Sequence, residues 1–328
     1  MPRRNFEVED INKAYFPVEV KLLFVQDKQQ LDSYSALSSH VAITDLENNR
    51  VFAVVTKNYK LVTNKQAVDL GKDVFSRVFS GIKFEDLQCF NVTMPSTRSF
   101  CHIDLIHKDS DFEPWEQDTW TPFIRVTNSY NKTKLLRYEI GFCRWACKNG
   151  MILGAKSIEF KYTHDRSAKE KVARMAENLG DIKAIEQDFI RKLRSIKEID
   201  FSKSLMFPLI LKVFDINSDV TSGSIKDKLK KLERLLELRN HIQSLADSYC
   251  QELGENGYSA FNLITDFATR PKGVISPETR INGYQSNCSK WIDDFTRQIK
   301  HPNFDASEYL QMQIETATRL EKVIKELS

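Results

Sequence analysis

The sequence predicts an α+β fold: an N-terminal antiparallel-rich sheet with a packed helix over residues 1–165, then an α-helical domain over 166–328. Three observations carry this. Strand-length apolar runs separated by turn signals fill the first half. One capped amphipathic stretch, 64–80, interrupts them. Beyond about residue 165 the apolar spacing changes to the helical period and stays there.

In chain order, VEVKLLFV (18–25) and HVAITD (40–45) read as strands, and Glu-Asn-Asn leads into VFAVVT (51–56), so 40–56 reads as a hairpin. Tyr59 to Val62 read as the close of a further strand. Thr63 and Gln66 have capping-box spacing, where hydroxyl and side-chain amide satisfy orphan backbone donors. Ala67, Leu70, Val74, Phe75 and Val78 then recur along one helical face. LQCFNVTM (87–94), SFCHIDLIH (99–107) and PFIRVTNSY (122–130) are strand-like, with an acidic loop at 108–120. Residues 135–147 and 151–162 read as one long hairpin about Lys148-Asn149-Gly150, because Asn-Gly accepts the positive φ of a tight turn. Alternation sets Tyr138, Ile140, Phe142 and Arg144 on one face and Arg137, Glu139, Gly141, Cys143 and Trp145 on the other. In the second half, 167–196, 203–214, 225–252, 258–268, 285–299 and 306–327 read as helices. The 225–252 helix shows Ile225, Leu229, Leu232, Leu236, Ile242 and Leu245 as its apolar face.

The bulk properties exclude several classes. Hydrophobic residues make up 41% and charged residues 28% of 328, a soluble globular balance. Only 9 Pro and 11 Gly argue against long disordered tracts. A net charge of +3 does not by itself imply a polyanion partner. There is no apolar run long enough for a membrane span and no leader-like segment, so no membrane association and a cytoplasmic setting are expected. The six cysteines are then expected to be free thiols. The chain contains no G-x-S-x-G, P-loop or G-x-G-x-x-G, which disfavours the hydrolases and nucleotide-binding enzymes that use them. No cofactor is expected.

Four groups of residues are candidates for chemistry. Cys143 and Cys147, four residues apart on a strand, would stand about 13 Å apart, too far for one metal or a disulfide. His102, Asp104, His107, Asp109 and Asp111 could ligate a divalent ion, although a solvated acidic loop leaving an edge strand accounts for them. Glu159 and Lys161, with Asp104 as a remote carboxylate, have the residue types of one metal-dependent nuclease class. The charge distribution is the most informative. Between Phe123 and His164 stand eight cations, Arg125, Lys132, Lys134, Arg137, Arg144, Lys148, Lys156 and Lys161, against Glu139 and Glu159, a local excess of eight minus two, or +6. Aromatic residues are interleaved with them, a pattern suited to phosphate neutralisation and base stacking on a single strand. Lys and Arg guarding sheet edges give the same pattern. Arg144, among Tyr138, Ile140 and Phe142, is expected to be buried against a carboxylate or a phosphate.

Two segments, VFAVVTKNYKLVTNKQAVDL (51–70) and RVTNSYNKTKLLRYEIGFCRWACKNGMIL (125–153), resemble the phage/plasmid-like proteins grouped as domain of unknown function nine-three-two. The shared pattern is carried by Tyr59, Val62 and Asn64, then Asn128 and Ser129, then Arg144, Cys147 and Asn149, within about residues 40–165. The family has no settled activity. The resemblance implies a setting in phages, plasmids and integrated elements, where nucleic acids are the usual partners. The expectation is therefore a non-enzymatic nucleic-acid-binding protein of a mobile element, favouring single-stranded DNA, with the helical half serving oligomerisation or partner docking. The alternatives are the nuclease using Asp104, Glu159 and Lys161, and a protein–protein interaction module in phage–host conflict.

Overall fold

The computed structural model describes residues 9–26, 33–79, 81–107, 110–146, 149–153, 159–162, 182–218, 224–272 and 277–327. A short 3-10 turn, Ile11–Ala14, precedes a three-stranded antiparallel sheet, β1 (Val18–Gln26), β2 (Tyr34–Asp45) and β3 (Arg50–Thr56), in that order. The expected strand at Tyr59–Val62 is absent. The chain turns at once after β3, Tyr59 N–H donating to Thr56 O at 2.9 Å, and runs directly into helix α1 (Asn64–Val78). Both capping-box bonds form: Thr63 Oγ1 accepts from Gln66 N–H at 3.3 Å, and Thr63 N–H donates to Gln66 Oε1 at 2.9 Å.

The second sheet holds β4 (Gln88–Thr93), β5 (Phe100–Ile106), β6 (Trp120–Ser129), β7 (Leu136–Arg144), β8 (Asn149–Ile152) and β9 (Glu159–Tyr162), all antiparallel. Its order is β4-β5-β6-β7, and β8 and β9 pair with successive halves of β7, at 141–144 and 136–139. The predicted hairpin therefore forms, but its turn is displaced. Arg144 pairs with Asn149 and Cys143 with Gly150, so Asn149 and Gly150 lie inside β8 rather than in the turn. Gly150 does not have the positive φ that a tight turn would have required.

The helical half comprises α2 (Ile182–Lys197), α3 (Met206–Val213), α4 (Ile225–Leu253), α5 (Gly257–Thr269), α6 (Pro277–Gln298), α7 (Ala306–Tyr309) and α8 (Gln311–Leu327). The final predicted helix is thus broken at Leu310. On α4 the buried positions are Leu232, Leu235, Leu238, Ile242, Ala246 and Tyr249. Ile225 and Leu229, assigned to the apolar face from periodicity, are exposed, so the first two turns stand clear of the core. Helix α5 is buried along nearly its whole length and is the centre of this half.

The two halves share apolar packing. On one sheet face α1 lays Ala67, Val68, Val74 and Phe75 over Ile103, Ile124, Val126, Tyr138 and Ile140. Fully buried side chains of this size contribute about 1.5–3 kcal/mol each. Further along, Trp120, Phe142 and Met151 join the core of the helical half, with Phe189 of α2 stacked on Phe142 at 4.8 Å. The opposite face receives α6. Strand β7 is buried on both faces, which makes it a central strand rather than an exposed platform. Among the described residues no helix is long and apolar enough to cross a membrane.

Candidate functional site

Strand register builds a polar row across the second sheet. Asn91 stands opposite Asp104, Asp104 opposite Arg125, Arg125 opposite Glu139, and Glu139 opposite Glu159. The neighbouring row runs Thr93, His102, Thr127, Arg137, Lys161. Arg125 is at the centre. Its Nε and Nη2 donate to the two carboxylate oxygens of Asp104, both at 2.6 Å, and Asn91 Nδ2 donates to Asp104 Oδ2 at 3.0 Å. Helix α6 closes over the row: Arg125 Nη1 donates to Gln285 Oε1 and to Asn282 Oδ1, and Asn282 Nδ2 donates to Glu139 Oε1 at 3.1 Å. Burial works against the Arg125 charge, but Asp104, then Glu139, hold its pKa above the usual arginine value.

A second buried network joins the end of β7 to the helices. Arg144 Nε donates to Asp118 Oδ1 at 2.7 Å, Arg144 Nη2 to Glu252 Oε1 at 3.2 Å, and the Tyr258 hydroxyl to Asp118. The expectation that Arg144 would be buried against a carboxylate is met. The acidic loop is solvated only in part: Glu113 and Glu116 are exposed, but Asp118 is buried in this pair and Asp111 accepts from Trp145 Nε1 at 2.9 Å; β5, with a neighbour on each side, is not the edge strand expected. Beside it, Asn149 Nδ2 donates to the Tyr249 hydroxyl at 2.6 Å and to Asn262 O, while Arg270 Nη2 donates to Asn149 Oδ1 at 2.7 Å.

The eight candidate cations separate by environment. Arg125 and Arg144 are buried ion-pair partners, closed to an external phosphate. Lys148 and Lys156 lie outside the described residues, as do Cys147, Asp109 and the side chains of Glu159 and Lys161. Lys132 is exposed in the turn after β6, with φ of 61°. Lys134 and Arg137 are half-buried and come together at a cleft of about 280 Å³, with Glu139, Thr279, Asn282 and Ser286 on its walls. Arg137 is 3.6 Å from Glu139, and the Lys134 ammonium lies 4.7 Å from the centre of the Phe100 ring. Burial, then the adjacent Arg137, lowers the Lys134 pKa, with Glu139 opposing. Of the aromatic residues expected beside these cations, Phe123, Tyr130, Tyr138 and Phe142 are buried in the cores and Trp145 is half-buried, while the side chains of Phe160 and Tyr162 lie outside the described residues.

The metal candidates do not converge. Asp104 on β5 and Glu159 on β9 are three strand spacings apart, about 14 Å, beyond one shared ion. Among the described residues no three His, Cys, Asp or Glu side chains are placed to hold a metal. Cys89, Cys101, Cys143, Cys250 and Cys288 are free thiols, and burial pushes Cys101 up to about 12, where it stays protonated and inert.

Sequence reasoning missed Thr279, Asn282, Gln285 and Ser286. Their signal was a polar stripe at three-residue spacing on a helix whose other face carries Ile281, Tyr284 and Cys288. Of the residues of the resemblance, Asn64, Asn128, Arg144 and Asn149 prove to be junctions. Asn128 Nδ2 donates to Asn64 Oδ1 at 2.8 Å and to Val62 O, tying the start of α1 to β6, while Arg144 and Asn149 tie β7 and β8 to the helices. Residues 51–303 match the family described as Domain of unknown function (DUF932). The chain belongs to this family. The DUF932 match runs from β3 through α6, so it takes in the second sheet, the helices packed on it and both buried networks. No curated protein and no solved structure matches the chain.

Proposed function

We propose that this DUF932 protein binds nucleic acid without catalysing a reaction on it, and that it grips the phosphate backbone of single-stranded DNA at the cleft between β7 and α6. The observation that carries this reading is the approach of Lys134 and Arg137 to one another at a cleft whose other walls offer hydroxyl and amide groups beside the Glu139 carboxylate. Burial, then the like charge of Arg137, disfavours the charged form of Lys134. A phosphate between them relieves that repulsion, and Thr279, Asn282 and Ser286 supply neutral donors for its remaining oxygens. Lys132 extends the positive surface along the turn. Because Tyr138 and Phe142 of the hairpin are buried, binding here rests on phosphates rather than on stacking against them, and it is therefore independent of sequence. The mobile-element setting implied by the resemblance fits such a role.

The test is anisotropy titration of a labelled single-stranded oligonucleotide at several salt concentrations, with wild type and Lys132→Ala/Lys134→Ala/Arg137→Ala. Each lost phosphate contact reduces the slope of log K against log salt by about 0.7, so the triple variant should lose about 2. Equal affinity and equal slope in two folded proteins would remove the reading and leave an interaction module without nucleic-acid contact.

A further inference from the structure

We infer that β1 is the dimer interface of this protein, pairing antiparallel with β1 of a second copy about a twofold axis at Val20. Among the described residues β1 bonds to β2 alone, and no other described strand pairs with its outer edge. Soluble proteins blunt such edges with charge, proline or a covering loop. Here the edge carries Val20, Leu22 and Phe24, which are 43%, 59% and 61% exposed. Val20 and Leu22 stand opposite Ile43 and Val41, so they extend the small core under the first sheet outward into solvent.

The charge pattern selects a second copy as the occupant. In Glu19-Val20-Lys21 the central residue is flanked by opposite charges, both exposed. Antiparallel self-pairing at Val20 sets Glu19 of each copy directly against Lys21 of the other, twice by symmetry. On the opposite face the same register sets Val20 on Val20 and Leu22 on Val18, apolar against apolar. It also carries Phe24 of each copy past Val18 of the other. Residues 18–22 of each copy then join the two three-stranded sheets into one of six strands. An unrelated partner strand would have no reason to match this three-residue alternation.

The experiment is sedimentation equilibrium of the full chain in low salt, with folding checked by circular dichroism. Wild type should dimerise. Glu19→Lys and Lys21→Glu each put like charges opposite one another at two symmetric positions, and each should raise the dimer dissociation constant about tenfold or more. Leu22→Lys should do the same through the apolar face. Mixed one to one, Glu19→Lys and Lys21→Glu place Lys only against Glu and should form a heterodimer as tight as the wild-type dimer. A monomeric wild type overturns the inference. So does a dimer indifferent to all three substitutions, or a mixture of the two charge variants that stays monomeric.

Discussion

Arg125 and Asp104 meet across neighbouring strands as a two-point fork, Nε to Oδ1 and Nη2 to Oδ2, with neither side chain more than 2% exposed. Two charges fully withdrawn from water are tolerable only when each answers the other and the leftover lone pairs and protons are bonded. Asn91, Asn282 and Gln285 meet that second requirement, and two of the three come from α6. The pair therefore does more than join β5 to β6: it fixes where α6 sits on the sheet, and so the shape of the Lys134–Arg137 cleft.

Removing one member should be far worse than removing both. Arg125→Met leaves a buried carboxylate without its counter-charge and should cost about 3–5 kcal/mol. Arg125→Met/Asp104→Leu removes both charges of the fork, leaves Glu139 to Arg137 and Asn282, and should recover part of that loss. Urea midpoints of the two variants decide it. A single variant that unfolds at the wild-type midpoint would mean that the pair is not closed to water.

The two glycines of the β7–β8 pairing should respond in opposite ways. A Cβ on Gly141 would lie 2.2 Å from Met151 O and 2.5 Å from Phe123 Cζ, one of them backbone in the adjacent strand. Gly141→Ala should therefore destabilise by about 1–3 kcal/mol through overpacking, or prevent folding. A Cβ on Gly150 meets nothing closer than 3.4 Å and its φ is ordinary, so Gly150→Ala should leave the thermal midpoint nearly unchanged. A large loss at Gly150 would place the turn at Asn149-Gly150 after all.

The capping box of α1 gives a smaller, local prediction. Thr63→Ala removes the acceptor for Gln66 N–H and should cost about 1 kcal/mol, with Thr63→Ser close to wild type. Thermal denaturation of the three proteins reads this directly. Equal losses for Ala and Ser would point to the methyl group rather than the hydroxyl.

That box was legible in the sequence because its two residues lie three positions apart and answer only each other. The strands of both sheets were legible for the same reason, since period-two alternation is local. What the alternation could not report was whether each strand's second face would be covered. Tyr138 and Phe142 read as part of a cation–aromatic surface, yet α1 and α2 bury them, and α6 buries Arg125 from about 160 positions further along the chain. Asn149-Gly150 misled in a related way. An Asn suited to a tight turn is equally suited to a buried hydrogen-bond junction, and only Tyr249, Asn262 and Arg270 reveal which it is. The α4 face failed at Ile225 and Leu229 because periodicity continues past the point where neighbouring helices end.

His102 supplies the pH prediction. It lies in the row beside Arg125, 1% exposed, its Nδ1 2.8 Å from Thr127 Oγ1. Burial holds its pKa well below the ordinary 6.5, and Arg125, Lys134 and Arg137 push the same way. The unfolded chain therefore takes up a proton near pH 6.5 while the folded chain does not. Below that pH protons favour the unfolded state, so the contribution of His102 is fully present above pH 6.5 and is lost as pH falls toward the folded value. The loss should approach about 1.4 kcal/mol per pH unit within that window. His102→Gln keeps a polar side chain near Thr127 but cannot titrate. Urea unfolding of both proteins across the window should show wild type losing stability more steeply than the variant as pH falls. Parallel curves would mean that His102 takes up its proton equally in both states, and that the polar row is open to water.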